Sequence, residues 1–201
     1  MTKAAGRPPR SDAEILEFRT RVSEHAMSIY RAEGFEAVSM RRLSKRVGCA
    51  PTTLYAHFAG KTEILMLLWA DVLSEMEAHV RDKIQDKTNT ADSLAAATYA
   101  FVTYWRDHPD DFRLVFMSSN VGKTDVDSFI KAGNVDRGFA IFKDLLRAHD
   151  PGAVDADIDI RSETLVAGMI GVALCLNTIS GYAWPSVSRM TDQLLAGIIA
   201  S

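Results

Sequence analysis

Apolar residues along this chain recur three and four apart, the spacing that lines one face of an α-helix. No stretch alternates as a strand would. Ile15, Phe18, Val22, Ala26 and Ile29 form the first such stripe. Ser11 and Glu14 sit as a capping box before it and Gly34 as its stop, which predicts a helix over 11–33. Phe35 and Val38 plug a small core in the turn that follows. Ser39 is then a good N-cap, Met40, Leu43 and Val47 form a second stripe, and Gly48 suits a left-handed helix end. Pro51 opens a short helix at the position where its missing N–H costs nothing, and Leu54 and Phe58 point back at the helix before it.

The remaining pattern continues in helices. Lys61 to Lys83 is a long one, with Ile64, Leu65, Leu68, Val72 and Met76 on its buried face and Trp69 at the edge of that face. After a polar break at 85–90, Thr90 or Asp92 is placed to cap a helix bearing Leu94, Ala97, Phe101, Tyr104 and Trp105, which stops before Pro109. Asp110 is placed to cap a short helix from Asp111 to about Ser118, and 118–124 reads as a loop. Asp125 to Ala148 reads as a helix whose Gly133 and Gly138 allow a bend or the close approach of a ligand. Beyond the Asp150-Pro151-Gly152 turn, a helix runs from Asp155 or Asp157 to about Gly181. Its middle is apolar on every side, which predicts burial on every side. Pro185 breaks the chain and Ser188 is placed to cap a last helix, Arg189 to Ala200. The fold class is therefore all-α, with about nine helices. The segments divide as a flexible basic arm over 1–10, a helix-turn-helix domain over 11–60, a connecting helix over 61–84 and a larger helical domain over 85–201.

Charge sharpens that division. The net charge of -3 argues against nucleic acid if taken alone. Residues 1–61, however, hold 11 lysines and arginines against 6 acids, and the remainder holds 12 against 20. A basic module on an acidic body suits approach to DNA from one end. With 47% apolar residues among 201, a buried core is within reach. Cys49 and Cys175, the only cysteines, have neither metal spacing nor a disulfide framework. The first residues lack the apolar core of a secretory signal. The longest apolar run, Leu165 to Leu176, has 12 residues, short of the roughly 20 that span a membrane. A cytoplasmic protein without a membrane segment is expected.

The stretch Ser39 to Lys61, SMRRLSKRVGCAPTTLYAHFAGK, carries the candidate chemistry. Two short helices joined by a tight turn, with Arg41, Arg42, Lys45 and Arg46 beside a second helix that starts in small hydrogen-bonding residues, suit a DNA major groove. The run from Val47 through TTLYAHF to Lys61 resembles the DNA-binding signature of the TetR family of bacterial transcriptional regulators. Cys49 and Ala50 depart from it, where an aliphatic residue and a Ser are usual. The missing Ser removes a cap from the recognition helix, a loss on the order of 1 kcal/mol.

The resemblance implies phosphate contacts from Thr53, Tyr55, His57 and Lys61. Thr52 and Ala56 are small enough to meet thymine methyl groups. Ser39, Arg41 and Arg42 are further candidates from the first helix of the pair. Arg7 and Arg10 of the arm are candidates for the neighbouring minor groove. One short recognition helix calls for a dimer on a palindromic operator. The resemblance places the homodimer interface on the helices near 157–181 and 189–200.

The resemblance also implies a small-molecule effector in the helical domain, with repression as the usual mode of regulation. Tyr99, Tyr104, Trp105, Phe112, Phe116, Phe139, Phe142, Met169 and Asn177 are the candidate lining, with Arg106 and Arg113 as further polar groups. An apolar or aromatic effector is expected, whose binding changes the spacing of the two recognition helices. Control by a protein partner is the alternative. Asp107, His108, Asp110 and Asp111 cluster around a Pro at a helix junction, where caps are expected. No second His or Cys stands at ligand spacing, so neither an enzyme nor a metal or cofactor is expected.

Overall fold

The computed structural model of the protein describes residues 11–118, 127, 129 and 134–200, and these are helical with no strand among them. The arm with Arg7 and Arg10, the stretch 119–124 and Gly133 lie outside the described residues. The chain divides into two compact units, residues 1–68 and 69–201.

The first unit holds α1 (Asp12–Glu33), a 3-10 turn (Phe35–Ala37), α2 (Met40–Val47), α3 (Pro51–Tyr55) and the start of α4 (Lys61–Ile84). Ser11 and Glu14 do form the capping box: the Ser11 hydroxyl accepts from the Glu14 N–H at 3.3 Å, and the Ser11 N–H donates to the Glu14 carboxylate at 2.8 Å. Gly34 and Gly48 take φ of +80° and +74°, a region where a Cβ is strained. Both ends were marked by glycine in the sequence for that reason. Phe18, Val22, Ile29, Leu43, Leu54 and Phe58 are buried together with Ile64, Leu65 and Leu68 of α4. Ala50 at the start of α3 offers no side-chain cap.

The second unit holds the rest of α4, then α5 (Thr90–Asp107), α6 (Pro109–Phe116), α7 (Asn134–His149), α8 (Asp155–Thr178) and α9 (Val187–Ile199). α5 lies at its centre and packs against α6, α7, α8 and α9. Phe101, Val102 and Trp105 of α5 are fully buried. Trp69, expected at an edge, is only 7% exposed. Its indole N–H donates to the Leu114 carbonyl at 2.7 Å, which ties α4 to α6.

Several helix starts differ from those expected. α5 is capped by Asn89, whose side-chain oxygen accepts from the Asp92 N–H at 2.8 Å, and not by Thr90 or Asp92. Asn89 has the extended backbone a cap requires, and Thr90 is already in the helix. α6 begins at Pro109, two residues before Asp111, because proline is preformed for a first helical turn. Asp110 is thereby inside the helix and pairs with Arg113 at 2.8 Å. α9 is capped by Ser186, which accepts from the Arg189 N–H at 3.3 Å, and not by Ser188. α8 ends at Thr178, short of Gly181. Nor is α8 buried on every side: Ile160 is 64% and Leu174 41% exposed.

Replacing Asn89 by Ala should cost about 1 kcal/mol in chemical denaturation, the usual worth of an N-cap. Thr90→Ala leaves that cap in place and should cost less.

Candidate functional site

In the first unit α3 has only 5 residues. Leu54 is fully buried, and Phe58, just beyond the helix, is 1% exposed. Anchoring these two turns Thr52, Tyr55 and Ala56 outward, and Tyr55 is 55% exposed. Thr53 and His57 are half-buried on the flanks. The His57 ring packs on Phe18, with centroids 4.8 Å apart. Its carbonyl accepts from Arg19 at 3.0 Å, and the Arg19 guanidinium lies 4.5 Å over Phe58. Arg19 was not singled out from the sequence. It lies outside the motif, and only the tertiary fold brings it to the end of α3.

Lys61 is half-buried, 4.3 Å over the Phe35 ring and 3.5 Å from the Glu36 carboxylate. That exposed pairing is weak and gives way readily to another anion. Beside it the Glu63 carboxylate accepts from the Ala59 N–H at 2.7 Å. Ser39 is used as a cap, its hydroxyl accepting from the Arg42 N–H at 3.3 Å. The cations of α2 differ in their freedom. Arg41 and Lys45 are exposed, and Arg46 reaches Ser28 at 3.3 Å. Arg42 is held by Glu33, both guanidinium nitrogens meeting the carboxylate, one of them at 2.8 Å. That hydrogen bond lowers the Glu33 pKa and raises that of Arg42.

The candidate effector residues fall in three places within the second unit. Tyr104, Trp105, Phe112, Phe116 and Phe142 join one aromatic cluster around Phe101, with Trp105 5.0 Å from Phe116 and Phe142 5.6 Å from Phe101. Met169 is buried, and Asn177 donates to the Trp105 carbonyl at 3.2 Å. The Trp105 indole N–H is buried without a hydrogen-bond partner among the described residues.

Tyr99 stands apart. It is 44% exposed on a groove of about 220 Å³ with His79, Lys83 and Lys87. Burial, then Lys83, lower the His79 pKa. Phe139 lines a larger groove of about 530 Å³ between α7 and α8, with Val166 and Ile170.

The acidic cluster around Pro109 does not converge. Asp107 pairs with Arg106, Asp110 with Arg113, and His108 stacks on Tyr104 with centroids 4.4 Å apart. No metal-ligand group occurs among the described residues. No helix among them is long and apolar enough to cross a membrane.

Residues 24–66 match the model of the bacterial regulatory proteins of the tetR family. The helix-turn-helix part of the chain is similar to that family's. The HTH-type transcriptional activator FasR of Mycolicibacterium smegmatis is 24% identical over 149 residues, which are 74% of this chain and 65% of FasR. An HTH-type transcriptional regulator of Staphylococcus aureus is 40% identical over 55 residues, 27% of this chain and 29% of that protein. Among solved structures, the transcriptional regulator FadR of Bacillus subtilis, in complex with stearoyl-CoA, superposes with a TM-score of 0.66 at 12% identity. That likeness covers 89% of this chain and 96% of FadR. A tetR-family regulatory protein from Rhodococcus RHA1 gives a TM-score of 0.59 at 14% identity, over 92% and 96% of the two chains.

At those identities the likeness to solved structures is one of fold. It agrees with an all-helical tetR-family architecture, an amino-terminal helix-turn-helix followed by a larger helical domain. The relatives named above are transcription regulators, in keeping with the expectation of a regulator and not an enzyme.

The lowered Glu33 pKa makes its pair with Arg42 a stabilising contact above the ordinary carboxylate range, lost as pH falls through the lowered value. In Arg42→Ala, carboxyl NMR titration should show the Glu33 pKa rise back toward the ordinary carboxylate range.

Proposed function

We propose that this protein is a cytoplasmic, sequence-specific DNA-binding regulator of transcription. It acts as a homodimer on a palindromic operator. The outward row of Thr52, Tyr55 and Ala56, fixed by the burial of Leu54 and Phe58, carries the reading. In it, Thr52 and Ala56 meet base edges, and Thr53, Tyr55, His57 and Lys61 hold phosphates. Arg41 serves as a free backbone contact. Arg42 serves only on leaving Glu33, and Ser39 supports the site by capping α2. Arg7 and Arg10 are assigned to the minor groove on their sequence alone.

Dimerisation is assigned to α8 and α9. Ile160, Thr164, Ala167, Gly171 and Leu174 recur at spacings of 4, 3, 4 and 3 along the uncovered side of α8. Such a seam suits a second helix. The small residues in its middle permit close approach, and a Cβ built at Gly171 meets nothing within 4 Å. Gln193 and Ala196 of α9, with Ala200 at its C-cap, continue an exposed, mostly small stripe.

The regulatory signal is proposed to be a small apolar or aromatic effector taken up by the helical unit, where the candidate aromatic residues gather. FadR, with its bound stearoyl-CoA, supports an effector in this fold. Release from the operator needs a coupling of about 1–3 kcal/mol, a change of about 5–150-fold in affinity. FasR is named an activator, which favours activation as a second reading of the sign. A reporter fused to the operator, with and without the protein, decides between the two.

Fragments of the source genome selected by the purified protein should share a palindrome. No preference over random duplex at moderate ionic strength would remove the proposal. Lys61→Ala should weaken binding to all sequences alike and flatten the salt slope by about 1. Leu174→Arg should shift the light-scattering mass from twice the 22.2 kDa of the chain to that value and weaken operator binding with it.

A further inference from the structure

Two neighbouring side chains of α1 grip the chain just beyond α3. The Phe18 ring packs on the His57 ring at 4.8 Å. The Arg19 guanidinium donates to the His57 carbonyl at 3.0 Å and lies 4.5 Å over the Phe58 ring. It also reaches the Glu63 carboxylate at 3.5 Å, and that carboxylate accepts from the Ala59 N–H at 2.7 Å. Residues 57–59, between α3 and α4, are thus held at a carbonyl, a ring and an N–H by one ion pair.

The hold falls where local structure is weakest. α3 ends at Tyr55 and has few backbone hydrogen bonds of its own. The His57 carbonyl lies just past its negative end, where a cation is favoured. Burial of Leu54 and Phe58 decides which side of α3 faces outward. Burial is non-directional, however, and a hydrogen bond adds the angle it lacks. Arginine suits the place because its planar fork stacks on a ring by its face and donates from its edge, which lysine does not do. Arg19 and Glu63 are 34% and 36% exposed, so their pair contributes little to stability and its worth is geometric.

We infer that Arg19, braced by Glu63, is a positioning residue for sequence recognition. It acts through the His57 carbonyl and holds α3 at the angle at which Thr52 and Ala56 meet base edges. This rests on the DNA-binding reading above. Base-edge contacts carry the sequence and fail when the helix turns, whereas phosphate contacts supply affinity for any duplex. Loss of Arg19 therefore removes discrimination before it removes binding.

Fluorescence anisotropy titrations of the full chain on a selected operator fragment, and on random duplex of equal length, test this. They are run where each variant keeps its full helical circular dichroism. Arg19→Met keeps a long side chain over Phe58 and loses the donor. It should bind the operator about tenfold more weakly, the scale of one mismatched base pair. Its affinity for random duplex, and the salt slope there, should not change. Arg19→Lys keeps a donor and a charge without the planar fork, and should fall between. Glu63→Ala should lose discrimination too. The double variant should lose less than the two separate losses combined, as residues acting through one segment do. In Arg19→Met, hydrogen exchange at the Ala59 amide should quicken while amides inside α2 keep their rates. Equal weakening on both duplexes, with a salt slope flatter by about 1, would make Arg19 a phosphate contact and overturn the positioning role. Additive losses would overturn it also. Operator preference that survives intact in Arg19→Met removes the positioning role alone. No operator preference in the unchanged chain removes the DNA-binding reading, and the positioning role with it.

Discussion

A helix of five residues does not persist in water, because its nucleation cost exceeds what so few backbone hydrogen bonds return. α3 exists because Leu54 and Phe58 are buried, with α2 packed against α3 and Arg19 of α1 over Phe58. Everything proposed for the DNA face depends on that anchorage. With Leu54 fixed inward, the helical period leaves Thr52, Tyr55 and Ala56 no direction but outward. The remaining contacts tighten the same arrangement. Arg19 clamps the end of α3 through the His57 carbonyl and covers Phe58, and Glu63 holds the Ala59 N–H where α4 begins.

The helical unit is arranged around α5, and its aromatic side chains meet edge to face at ring separations of 5.0–6.1 Å. Such packing fills space without sliding freely. α8 has one side in that core and the other without a cover among the described residues. An uncovered apolar seam at coiled-coil spacing marks an interaction surface more firmly than scattered apolar residues do.

Charges in this chain fall into those already answered and those left open. Arg42 is answered by Glu33, Lys143 by Asp159 and Arg147 by Asp155. In the Lys143 pair the hydrogen bond to Asp159 raises the lysine pKa, so its charge is held more firmly. Arg41 and Lys45 on α2 stand exposed. Counting cations by sequence treats Arg41 and Arg42 alike. Their positions make one available and commit the other.

Local chemistry was legible in the residues. The apolar period, the glycines at Gly34 and Gly48, the Ser11–Glu14 box and Pro51 act over a few neighbours, so the order of helices and the helix-turn-helix could be read directly. The caps at Asn89 and Ser186 were misplaced because two or three hydrogen-bonding residues stand in a row there, and backbone conformation selects among them. Burial of α8 could not be read from its composition, since an apolar helix does not say which neighbour covers it. The same holds for the aromatic residues. Sequence placed Tyr99 with Trp105, and packing put one at the surface and the other in the core. The Arg42–Glu33 pair, the Arg19 clamp and the Lys143–Asp159 pair join residues on different helices, and only the tertiary fold sets those distances.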